Sequence, residues 1–124
     1  MSEYPIVHVD IPAQDPQAAG RFYSELFGWQ VQPLPGMQYV RFQSPHHATG
    51  GFVGLGGPVQ HQAGELLVYV GSDDIDGDLR KAEQLGGKTL IPKTVIPNTG
   101  WLGVFQDPAG NRVGLFHRTG FISA

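Results

Sequence analysis

The chain reads as one motif written twice, and that repetition limits its fold more than any other feature. Adding 59 to the residue number takes Asp15 to Asp74, Arg21 to Arg80, Leu26 to Leu85 and Gly28 to Gly87. Adding 63 takes Phe42-Gln43 to Phe105-Gln106 and Pro45 to Pro108, and adding 60 takes Val53-Gly54-Leu55 to Val113-Gly114-Leu115. Each change of offset falls at a loop, where insertions are tolerated. A sequence that repeats in this way folds as one supersecondary unit used twice.

The order of elements inside each half follows from local patterns. Tyr4 to Ile11 alternates, with Val7, Val9 and Ile11 on one face and His8 and Asp10 on the other, which predicts a strand. Asp15-Pro16 opens a helix as N-cap and first helical residue, Phe22, Tyr23, Leu26 and Phe27 supply paired i,i+4 apolar contacts, and Gly28 closes it. Three strands follow, over 29–34, 37–43 and 51–55. A Gly- and Pro-containing linker covers 56–64. The pattern then restarts with a strand over 65–71 and a helix capped by Asp74, carrying Ile75, Leu79, Ala82 and Leu85 and stopped by Gly86-Gly87. Strands over 88–95, 100–106 and 112–117 complete it. The last two flank Asp107-Pro108-Ala109-Gly110-Asn111, which is turn chemistry between apolar runs. The expected fold is α+β, with two tandem βαβββ modules (about 4–55 and 65–117) forming a curved mixed sheet around a cleft, in a single domain.

Composition bounds the function. The 124 residues suffice for one domain with a real core, and 40% hydrophobic against 15% charged residues marks a globular chain. A net charge of −3 with scattered Lys and Arg argues against a nucleic-acid partner. No stretch approaches the ~20 apolar residues of a membrane span, and the N-terminus has no signal-peptide pattern, so a cytoplasmic setting is expected. The absence of cysteine excludes disulfides, thiolate metal sites and Cys nucleophiles.

Strand parity then sorts side chains between two faces. The helix side should carry Val7, Val9, Val53, Leu55, Val68, Val70, Val113 and Leu115. The other face, lining the cleft, should carry His8, Asp10, Gly54, Leu67, Tyr69, Arg112, Gly114 and Phe116. Concave sites of this kind take small organic molecules.

The βαβββ repeat, the opening His8-x-x-x-x-x-x-Asp15, and Gly100-Trp101 followed by Phe105-Gln106-Asp107-Pro108-x-Gly110-Asn111 resemble the vicinal oxygen chelate superfamily. That group includes glyoxalase I, bleomycin-resistance proteins and extradiol dioxygenases. The likeness runs from about Tyr4 to His117 and is strongest to small glyoxalase-like proteins, through Asp73-Asp74-Ile75-Asp76, Gly86-Gly87-Lys88, Pro92-Lys93 and Gly100-Trp101. It implies a homodimer. It also implies metal ligands at positions matching His8, Gly54, Leu67 and Gly114. Of these only His8 can coordinate, whereas a divalent ion needs three or four protein ligands. The resemblance therefore implies a small-molecule-binding protein with a degenerate metal site, no cofactor, and His8 as the candidate acid or base.

The alternatives are a metal-dependent lyase or dioxygenase that recruits Asp10, Glu65, His46, His47, His61 or His117 as relocated ligands, a resistance-type protein that acts by sequestering its ligand, and a structural dimer module. In the bland reading His8 is a lining residue hydrogen-bonded to a neighbour such as Asp10 or a tyrosine. Tyr39, Tyr69, Trp101 and Phe116 are candidate aromatic lining, with core packing as the alternative for Trp101, whose strand face is open. Arg41 is a candidate clamp for a carboxylate or phosphate. The glycines at 50–51 and 54–57 lack the Gly-Lys-Ser/Thr and following helix of a phosphate loop. Ser44, Ser72 and Ser123 sit in no nucleophile elbow.

Overall fold

A computed structural model describes residues 3–45 and 49–118. His46 and His47, two of the candidate relocated ligands, lie outside the described residues. The element order is β1 (Ile6–Pro12), α1 (Pro16–Phe27), β2 (Gln30–Pro33), β3 (Tyr39–Gln43), β4 (Thr49–Val53), β5 (Leu67–Gly71), α2 (Ile75–Gln84), β6 (Lys88–Ile96), β7 (Gly100–Gln106) and β8 (Arg112–Arg118). This is the α+β architecture of two βαβββ modules. The chain divides into two compact units, one of His8–Leu67 and one formed by the residues from Val68 onward with those up to Val7.

In the first unit the strands run in the order β2-β3-β4-β1, antiparallel except for the parallel β1–β4 pair. The start of α1 is fixed by Asp15, whose carboxylate accepts from the backbone N–H of Gln17 and Ala18, both at 3.1 Å, with Pro16 next. Its end is fixed by Gly28 at φ 76°, whose N–H returns to the Ser24 carbonyl at 2.8 Å. The helix covers a core of Val40, Phe42 and Phe52, joined by Ile11, Ala19, Tyr23, Trp29 and Val31. Tyr23 stacks on both Phe52 and Trp29, at 5.1 and 5.7 Å between ring centroids. Phe22 and Leu26, one of the expected i,i+4 apolar pairs, are more than half exposed because only the Tyr23 side of α1 faces the sheet.

One expected parity is corrected. Val53 and Leu55 were expected on the helix side of β4, with Gly54 opposite. Phe52 instead points to α1 and is fully buried, and β4 ends at Val53, so Gly54 and Leu55 lie beyond it. The registers explain the error. Phe42 pairs with Gly50 and Phe105 with Val113, so the offset of 63 continues from β3/β7 into β4/β8. The residue equivalent to Gly114 is therefore Gly51, and the shared Val-Gly-Leu string is a coincidence of composition.

In the second unit the order is β5-β8-β7-β6, again with one parallel pair, β5–β8. Asp74 caps α2 through the Gly77 N–H at 3.0 Å. Ile75, Leu79 and Leu115 form the buried core, with Val70, Trp101 and Phe105 against it. Leu85, read as a core position of the helix, is its C-cap and stands in solvent. The β7–β8 turn is tied by Asp107, whose Oδ1 accepts from the backbone N–H of Ala109 and Asn111, both at 2.9 Å. The Asn111 backbone N–H, helped by that of Ala109, holds the Asp107 carboxyl below the usual carboxylate range.

A carboxyl lowered by folding adds stability above its unfolded pKa, and this is lost as pH falls through the folded value. Thermal melts of Asp107→Asn should therefore fall less steeply with acid than those of the parent. Parallel curves would show that the turn does not depend on the charge.

Candidate functional site

β1 and β3 place three polar groups together on the face of the first unit opposite α1. Alternation along β1 puts His8 and Asp10 on that face, and alternation along β3 puts Tyr39 and Arg41 there while Val40 and Phe42 go to the core. The His8 Nε2 lies 2.7 Å from the Tyr39 hydroxyl oxygen and 3.0 Å from Asp10 Oδ1. The Tyr39 hydroxyl donates to the same Asp10 oxygen at 2.9 Å. Three polar atoms thus close a triangle. The imidazole and phenol planes are within 11° of parallel, with centroids 6.5 Å apart.

Burial grades the three groups by role. The Asp10 side chain is 8% exposed and that of His8 27%. A buried carboxylate is costly unless donors surround it, and here the phenol and the imidazole are those donors. His8 is the member that solvent, and hence a ligand, can reach. Around the triangle the same face continues with Arg41, and through the β2–β3 register with Gln32 and Gln43. Arg41 is exposed and carries no ion pair among the described residues. The face therefore offers a guanidinium, side-chain amides and an imidazole, while its carboxylate is already engaged.

The other predicted site residues fall in several places. In the second unit Tyr69, Gly114 and Phe116 share the face opposite α2, with Tyr69 directly across from Gly114. Leu67, the first residue of β5, is fully buried. Trp101 is corrected as lining: it lies on the helix face of β7 against the Ile75, Leu79 and Leu115 core, with the Lys93 ammonium 4.7 Å above its ring. Glu65 is exposed in the loop before β5, and its N–H bonds to the Gln62 carbonyl. His61 forms an isolated bridge with Gly56, and His117 Nδ1 lies 2.8 Å from the Ser72 carbonyl oxygen. A cavity of about 530 Å³ in the second unit, under α2, is lined by Val70, Phe105 and Leu115 and by Tyr4, Asp78 and Lys81, with the Tyr4 hydroxyl donating to Asp78 at 2.9 Å.

The donor set does not fit a divalent ion. No group of three or more His, Asp or Glu side chains comes together among the described residues. At the positions equivalent in the two last strands, rings occupy the space where a donor would stand. A Cβ on Gly51 would lie 2.0 Å from Cζ of Tyr39, and one on Gly114 would lie 2.4 Å from Cδ2 of Tyr69.

Sequence reasoning anticipated His8 bonded to Asp10 or a tyrosine without singling out Tyr39, and it missed Gly51. The available signal was the Gly50-Gly51 pair inside a strand, since glycine there marks a close approach of other atoms.

Comparison with known proteins agrees with this architecture. The sequence pattern of the glyoxalase-like domain matches residues 6–116. The Mycobacterium tuberculosis protein named as a glyoxylase, CFP32, is 32% identical over 94% of this chain and 46% of its own length. The chain thus spans about half the length of the curated relatives it matches. Among solved structures, methylmalonyl-CoA epimerase from Mycobacterium tuberculosis aligns with a TM-score of 0.68 at 14% identity, covering 99% of this chain and 94% of that one. A glyoxalase/bleomycin resistance protein/dioxygenase superfamily member from Vibrio splendidus gives 0.63 at 12% identity over 88% and 95%. At such identities these two likenesses concern the fold. The family pattern, however, covers both helices and all but the last two residues of the strands, and on that ground the chain belongs to the glyoxalase-like domain family.

Proposed function

We propose that this glyoxalase-like chain binds a small organic molecule bearing a carboxylate or similar anionic oxygen, on the face of the first unit that carries His8, Asp10, Tyr39 and Arg41. In this reading Arg41 holds the anionic oxygens, a task for which its planar fork of donors is suited. His8 carries any proton transfer, and Asp10 and Tyr39 position it. No metal takes part. The observation that carries the reading is the closed triangle of His8, Tyr39 and Asp10, which spends the one carboxylate of the site internally and leaves a donor-rich surface around it.

The test uses small 2-oxo acids such as pyruvate, with their methyl esters as neutral controls, followed by NMR of backbone amides. The acids should shift signals of β1 and β3, the esters should not, and Arg41→Ala should weaken the acids by about tenfold or more, the scale of a charge-assisted hydrogen bond. The reading fails if acids and esters act alike, or if untreated protein keeps one divalent metal per chain through dialysis in a native mass spectrum.

A further inference from the structure

We propose that the cavity under α2 in the second unit is a second ligand site, which takes a flat aromatic molecule where the first unit is filled by its own aromatic side chains. The site shares no residue with the one described above.

The two helix-covered cores match position by position. The offset of 59 between the N-caps Asp15 and Asp74 takes Gly20 to Leu79 and Tyr23 to Ala82. The offset of 63 in the strands takes Val40 to Gly103, Phe42 to Phe105 and Phe52 to Leu115. At one level the exchange is compensated. In the first unit a Cβ on the helix residue Gly20 would lie 3.2 Å from Cγ1 of Val40. In the second, a Cβ on the strand residue Gly103 would lie 2.9 Å from Cγ2 of Ile75 and 3.3 Å from Cδ1 of Leu79. Large and small have changed places between helix and sheet, and the packing stays closed.

One turn further along the helix no such exchange occurs. In the first unit Tyr23 stacks on Phe52 and on Trp29, and Trp29 stacks on Phe42 at 4.7 Å with the planes 15° apart. In the second, Ala82 stands for Tyr23 and Leu115 for Phe52, while Lys88 follows Gly87 as Trp29 follows Gly28. Phe105 keeps the ring of Phe42, and among the described residues no other ring stacks on it. The space that opens is the cavity of about 530 Å³, lined by Ala82, Phe105 and Leu115 together with Val70. That volume is within the range of ligand pockets, about 300–1,000 Å³.

The wall also sets the class of guest. Both oxygens of the Asp78 carboxylate accept from hydroxyls, Oδ1 from Tyr4 at 2.9 Å and Oδ2 from Ser72 at 2.5 Å. Asp107 is bound into its turn. Lys81 is exposed, and its stem is long enough to keep the ammonium in water. What remains for a guest is apolar surface with one unstacked ring. An aromatic molecule there would stack on Phe105 as Trp29 does on Phe42, and cover Leu115 as Tyr23 covers Phe52.

Backbone-amide NMR of the labelled full chain, titrated with 2-naphthol, tests the assignment. Saturable shifts should appear around Val70, Ala82, Phe105 and Leu115 and not on β1 and β3. Ala82→Tyr, which restores the residue of the first unit, should abolish them. Phe105→Leu keeps an apolar wall without a ring and should weaken binding about threefold or more, the scale of an aromatic pair. The proposal is overturned if the shifts are absent or centre on β1 and β3, if Ala82→Tyr binds 2-naphthol as the parent does, or if Phe105→Leu leaves the affinity unchanged. Should Ala82→Tyr not fold, Ala82→Leu decides in its place: weaker binding upholds the cavity as the site, and unaltered binding overturns it. Because 2-naphthol has no carboxylate, these results stand apart from the binding of 2-oxo acids.

Discussion

Phe52→Ala should destabilise the protein by about 3–5 kcal/mol, the usual cost of emptying a buried aromatic site. Phe52 is fully buried, and its ring lies 5.1 Å from that of Tyr23 and 5.0 Å from that of Phe42. Its neighbours have little freedom to close the gap. Phe42 is already stacked on Trp29 at 4.7 Å, and its ring fills the space above Gly50 that a side chain there would take. The loss should appear as a lower urea midpoint at unchanged slope. Val53→Ala is the companion measurement, because Val53 is on the opposite face of β4 and should cost well under half as much. If the two substitutions cost the same, or Val53 costs more, Phe52 does not face α1 and the pairing of Gly51 with Gly114 goes with it.

Residue chemistry made much of this architecture readable before any coordinates. Asp15-Pro16 and Gly28 mark the ends of α1 by local hydrogen bonding, and the Asp107–Asn111 turn needs only its own five residues. Alternation likewise assigned His8 and Asp10 to one face, since β1 has one apolar side. Failures came where the pattern carries no such contrast. Gly100-Trp101-Leu102-Gly103-Val104-Phe105 is apolar on both faces, so parity had nothing to read, and Trp101 proved to belong to the core. In β4 a three-residue identity was preferred to the offset of the neighbouring strand. Only the ladder of hydrogen bonds, with Phe42 opposite Gly50, removes that ambiguity. The triangle itself was half legible. His8 and Asp10 are two residues apart on one strand, but Tyr39 joins them from a strand that is not their neighbour, and that depends on what is missing at position 51.

Asp10→Ala should disrupt the site more than it disrupts the fold. The substitution removes the acceptor shared by the Tyr39 hydroxyl and His8 Nε2. Hydrogen bonds to charged groups contribute about 1.5–3 kcal/mol each, but two that share one acceptor do not add. The carboxylate also costs desolvation energy in the parent, which its removal returns. His8 is 27% exposed, so water can replace part of what its ring loses. A net loss of about 2 kcal/mol follows, below that of Phe52→Ala. The His8 nitrogen shifts should change, because the carboxylate oxygen that both its ring and the Tyr39 hydroxyl touch is gone. Binding of 2-oxo acids should weaken even though Arg41 is untouched. Asp10→Asn separates shape from charge: its amide oxygen can still accept from Tyr39, so stability should recover in large part. If Asp10→Ala leaves both the His8 nitrogen shifts and the binding of 2-oxo acids as they were, Asp10 is a satisfied core carboxylate and His8 is not governed by it.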